Sequence, residues 1–111
     1  IDSYESATDE TSINIWKTDG SNWRVDVRKV DTNWHPGVHL YVRRTSDGKT
    51  KDGNIFSGTS YQEVNDIDRL FFYGVDDIRQ IDVQLKLGGV SVEIPPDVYS
   101  TAVYYTVTTT D

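Results

Sequence analysis

The residues that could do chemistry are few, and their spacing decides most cases. His35 and His39 lie four apart, the separation that would set two metal ligands on one face of a helix. The intervening Pro36-Gly37 forbids that helix, and in extended chain the two rings stand about 13 Å apart, too far for one ion. They read as solvent-facing or loop histidines. Asp47, Asp52, Asp66, Asp68, Asp76 and Asp77 fall in or beside turn-rich stretches, where oxygen-rich loops can hold calcium. None belongs to a D-x-[DN]-x-[DN]-G series closed by a glutamate, so they read as turn formers on a wet surface. Glu63 and Asp66 offer the two carboxylates of a glycosidase, but a domain this small presents no evident deep cleft. HExxH, Gly-x-Ser-x-Gly and phosphate-cradling glycine loops are all missing. With no cysteine, thiolate zinc, iron–sulfur clusters, a cysteine nucleophile and a disulfide scaffold are excluded. The expectation is a protein without a catalytic centre, a cofactor or a metal.

Aromatic side chains offer another kind of site. Trp23 alternates in phase with Val25 and Val27 and belongs to a core. Trp16 is out of phase with Ile13 and Ile15, and Trp34 sits among turn residues, so both are candidate platforms for a sugar ring. The competing reading has them filling the ends of the fold or a subunit contact. Arg44 follows the apolar parity of Val38, Leu40 and Val42 and is expected at the rim rather than as a buried charge.

The elements that must position these groups are strands. Trp23 to Arg28, Val38 to Arg43, Ile81 to Leu87 and Val90 to Ile94 alternate apolar with polar residues, as strands with one wet face do. Ser12 to Lys17, Tyr61 to Val64, Leu70 to Tyr73 and Val98 to Thr109 are weaker runs rich in β-branched and aromatic residues. Asp19-Gly20, Asp47-Gly48 and Asp52-Gly53 mark turns, Gly88-Gly89 marks a hairpin, and Pro95-Pro96 ends a strand. Nothing has helical periodicity. The pattern predicts an all-β fold: a single immunoglobulin-like β-sandwich of seven or eight antiparallel strands, with a small closed barrel as the alternative.

A chain of 111 residues is one domain, long enough to bury roughly 65% of its unfolded surface. Eighteen acids against eleven bases give a net charge of -7, which argues against nucleic acid as a partner. No apolar run approaches the roughly 20 residues that insertion across a membrane needs. The chain begins at Ile1 and contains no methionine, which suggests removal of an export signal and a place outside the cell or on its surface. Residues 1–12 are polar and divide as an N-terminal arm from the sandwich of residues 13–111. An ordered arm of this kind must lie on its own domain, on a neighbouring subunit or on a lattice contact. Residues 100–109 carry no charge, proline or glycine, the composition that pairs with foreign strands at an open edge. This strand is therefore expected inside a sheet or against a donated strand.

The runs Trp23-Arg-Val-Asp-Val-Arg-Lys-Val and Leu40-Tyr-Val-Arg-Arg-Thr-Ser-Asp-Gly, and the ending Ile94-Pro-Pro-Asp-Val-Tyr-Ser-Thr-Ala-Val-Tyr-Tyr-Thr-Val-Thr, resemble exported bacterial β-sandwich proteins of the spore-coat-U and pilus-subunit kind. The resemblance covers about a third of the chain. It implies an incomplete sandwich completed by the arm of the next subunit, with copies of the chain itself as partners in a filament or surface assembly. In that reading Ile1, Tyr4, Ala7, Ile13 and Ile15 form the assembly arm, and Val103, Tyr105 and Val107 lie on the acceptor or edge strand. The alternative is a carbohydrate-binding or adhesive module that takes glycans on Trp16 or Trp34.

Overall fold

The computed structural model describes residues 3–90, 94, 95 and 97–110. Ile1 lies outside the described residues, as does most of the run expected from Val90 to Ile94. Nine strands follow one another: β1 (Ser3–Glu5), β2 (Thr11–Ile15), β3 (Asn22–Asn33), β4 (His39–Arg44), β5 (Asn54–Phe56), β6 (Gln62–Val64), β7 (Arg69–Val75), β8 (Ile78–Gly88) and β9 (Ser100–Thr109). The two beyond the expected seven or eight are β1 and β5. Each has three residues, too few for an alternating pattern to register.

Alternation sets the inner faces. Along β3, Trp23, Val25, Val27 and Lys29 are buried while Arg24, Asp26 and Arg28 are half-exposed. Along β4, Leu40, Val42 and Arg44 turn inward. Two antiparallel sheets result, one ordered β1-β8-β4-β6 with β2 also on β8, the other ordered β5-β7-β3-β9. The architecture is an all-β sandwich of two antiparallel sheets, and its strand order departs from the expected immunoglobulin-like one. In the usual strand order the first strand joins the sheet of the second and the last joins the other sheet. Here the terminal strands exchange places: β2 pairs with β8, and β9 pairs with β3.

The core between the sheets contains Ile15, Trp23, Val25, Val27, Leu40, Val42, Val64, Phe71, Phe72, Ile78, Ile81 and Val83. Burying a side chain of this size contributes about 1.5–3 kcal/mol. Phe71 and Phe72 are adjacent yet both buried, which a strict pleat forbids. The register with β3 slips between Val25 and Asp26, so that Phe72 opposes Val25 and Leu70 opposes Asp26. The bulge re-aims Phe71. Phe72 meets Trp23 edge-on at 6.0 Å, and the Trp23 indole N–H donates to the Asp76 carbonyl at 2.8 Å. β3 and β9 continue as a ribbon beyond this core, where Val30 to Asn33 are exposed, within a body measuring 49 × 23 × 18 Å.

Candidate functional site

The polar arm lies on its own chain. Ser3, Tyr4 and Glu5 pair with Gly88, Leu87 and Lys86 of β8. Ser6 then clamps the same strand: its amide donates to the Leu85 carbonyl at 2.9 Å and its hydroxyl accepts from the Leu85 amide at 2.9 Å. The Gln84 side chain donates to the Ser6 carbonyl at 3.0 Å, and the Tyr61 hydroxyl donates to Glu5 at 2.6 Å. Backbone ladder and polar side chains supply this order, and apolar burial does little, which is why a hydropathy reading finds nothing to hold residues 3–10. Of the candidate arm residues, Tyr4 and Ala7 are exposed, Ile13 packs against the core and Ile15 is inside it. Ile13 and Ile15 are therefore fixed in the sandwich, and only the segment before β2 has the character of an arm.

β9 sits at a sheet edge. It pairs with β3 from Thr109 opposite Trp23 to Ser100 opposite Asn33. Among the described residues no strand lies on its other side. β7 occupies the far side of β3, so among the described residues β9 closes its sheet at the end opposite β5. Of the two placements expected, inside a sheet or at an edge open to a donated strand, the described residues show an edge. Val103 and Tyr105 point inward and are half-buried, Tyr105 stacking on Phe71 at 6.2 Å. Burial pushes the Tyr105 hydroxyl up to about 12. Val107, on the same face, is 47% exposed. Beside β9 a seam cavity of about 540 Å³ opens between Ser100, Thr101 and Val103 on one side and Tyr4 to Ser6 on the other, floored by Trp34, Leu85 and Leu87.

The two candidate platforms differ. Trp34 is half-buried against the core, its indole N–H donates to the Val38 carbonyl at 2.9 Å, and the Lys29 ammonium covers the ring at 4.8 Å. What Trp34 exposes is part of the floor of the seam cavity, so it is not a free-standing platform. Trp16 is 61% exposed and lines a groove of about 570 Å³ at the loops around Lys49 to Asp52 and Asp76 to Arg79. The hydroxyl and then the amide of Thr18 bond the Asp77 carboxylate at 2.6 and 3.0 Å and hold its pKa below the usual value. Its out-of-phase position was the readable sign for Trp16.

Five of the remaining candidates are tied up locally. His39 Nδ1 lies 2.6 Å from Glu63, and His35 Nδ1 accepts from the Gly37 amide at 2.9 Å. Asp47 pairs with Arg44 at 2.7 Å and Asp68 with Arg28 at 3.8 Å. Arg44 is the clearest correction. Its side chain is 5% exposed, not at the rim. The guanidinium donates to the Ser57 carbonyl through Nε and to the Ser46 carbonyl at 3.1 Å and Asp47 through Nη1, so its charge is buried with bonded donors. It continues the inward parity of Leu40 and Val42 and pins the loop from Ser46 to Ser57. No protein family, characterised protein or solved structure matches this chain.

Proposed function

We propose that the chain is a non-enzymatic structural subunit of an extracellular surface assembly, in which two copies join by antiparallel pairing of their β9 strands. The observation that carries this reading is the outer edge of β9, ten residues long, uncharged and flanked by no strand among the described residues. Such an edge accepts a further strand through backbone hydrogen bonds alone. With Tyr105 opposite its counterpart on a two-fold axis, Val103 falls opposite Val107 and Thr101 opposite Thr109. That register covers the exposed Val107 with an apolar partner and keeps inner faces inward. Net charge opposes association of two copies, and an uncharged strand is where they meet with least repulsion. The extracellular surface role rests on the likeness of the closing strand to exported pilus and spore-coat subunits. The arm, held on β8, covers the edge of the other sheet.

Size-exclusion chromatography with light scattering tests the pairing. The expected species is a dimer, favoured by salt because screening weakens repulsion. Thr106→Lys, which puts a charge on the exposed face of the edge, should return the monomer with an unchanged melting temperature. A strict monomer at high concentration refutes the proposal. So does a polymer that vanishes when residues 1–10 are deleted, since that outcome assigns assembly to arm donation.

A further inference from the structure

The loops at the Trp16 end form a second site, independent of the β9 edge. Trp16 follows Ile15, which is in the core, and precedes Lys17, held in the left-handed region at φ 57°. Thr18 is buried and bonded to Asp77, so the indole is mounted on a fixed base. The opposite wall is braced as well. Lys49 and Arg79 exchange backbone hydrogen bonds at 2.6 and 2.9 Å, and the Thr50 hydroxyl donates to the Asp77 carbonyl at 2.7 Å. Asp76 is held at φ 67° between the Ser21 carbonyl and the Trp23 indole. An exposed ring on so rigid a frame is preorganised for a ligand.

The lining identifies the ligand class. Lys49, Lys51 and Arg79 enter none of the ion pairs among the described residues, and Arg79 lies 5.9 Å from the Trp16 ring. Facing them in the groove are Asp52, Asp76 and Asp77. Cations and carboxylates are equal in number, so the groove is neutral inside an acidic protein. A balanced set of donors and acceptors suits vicinal hydroxyls, which both give and receive hydrogen bonds, better than it suits an ion. The negative face of an indole attracts the weakly positive C–H face of a pyranose ring. We propose that this groove binds a neutral pyranose unit of a glycan, with Trp16 as the stacking platform and Asp52, Lys51 and Arg79 bonding its hydroxyls.

The test titrates the purified chain with cellohexaose, laminarihexaose and mannohexaose, and with trigalacturonate as the acidic comparison, measuring binding by isothermal titration calorimetry and locating it by iodide quenching of tryptophan fluorescence. At least one neutral hexasaccharide should bind and shield Trp16 from iodide, with an affinity that changes less than twofold between 50 and 500 mM salt on the order expected for an uncharged ligand. Trp16→Ala should weaken binding at least tenfold, and Trp16→Tyr, which keeps a platform, should recover part of it. No binding to any of the three neutral sugars at millimolar concentration overturns the proposal. Binding that survives Trp16→Ala overturns it too, as does binding confined to trigalacturonate and lost in high salt.

Discussion

Replacing Arg44 with methionine keeps most of the side-chain volume and removes the buried charge. Three hydrogen bonds are lost, to Ser57, Ser46 and Asp47. Bonds to a charged donor contribute about 1.5–3 kcal/mol each. Against that loss, methionine escapes the desolvation penalty of a buried ion, which is several kcal/mol. The acceptors left behind recover unequally: Asp47 and Ser57 are exposed and return to water, whereas Ser46 is half-buried. The net expectation is a destabilisation of about 2–3 kcal/mol, or about 8–12 °C in melting temperature for a domain of this size. Urea unfolding followed by fluorescence and circular dichroism measures it. Asp47→Ala is the control, costing under about 0.5 kcal/mol, because an exposed carboxylate contributes little to a salt bridge. Arg44→Lys should fall between, since an ammonium cannot reproduce the planar fork. If Arg44→Met is as stable as the parent, the guanidinium does not hold the loop from Ser46 to Ser57.

Gly74→Ala would set a methyl 2.6 Å from the Trp23 ring and 2.5 Å from the Asn54 carbonyl, and neither can retreat. A loss of about 1–3 kcal/mol in urea unfolding is expected, typical of overpacking, and wild-type stability would mean that β5 or Trp23 moves freely. Alkaline pH probes Tyr105. Its hydroxyl is raised from 10.0 to about 12, so the stability it contributes is complete below pH 10 and disappears as pH rises to about 12. The contribution is at most about 2–3 kcal/mol. Melting temperatures from pH 9 to 12 should fall more steeply for the parent than for Tyr105→Phe. Parallel curves would show that Tyr105 is not the alkaline weak point.

Period two made β3, β4 and β8 legible, because apolar and polar residues alternate over about six residues of each. β1 and β5 were not legible: their pairing is a property of the strand beside them. Ser6 is the instructive case. Nothing in its type or spacing announces a clamp, yet three hydrogen bonds with β8 converge on it. Arg44 failed for a related reason. A polar residue at an inward position reads as the end of a face unless its acceptors are known, and one of them, the Ser57 carbonyl, lies thirteen residues along the chain. Trp16 was readable because exposure follows from parity within its own strand. Trp34 was not, since the approach of Lys29 depends on where β3 ends.

The sheet edges explain why β9 stands apart. β5 and β6 close one side of each sheet with three residues, too short to template another chain, and β6 adds Glu63. The outer side of β8 is covered by the arm, whose Glu5 and solvent-facing serines discourage further pairing. β9 has ten residues, no charge and, among the described residues, no covering segment. A monomer could be protected by one lysine at Thr106 or Tyr104, both exposed and free of core packing. In a protein carrying 29 charged side chains, an edge without any is what a strand used for pairing requires.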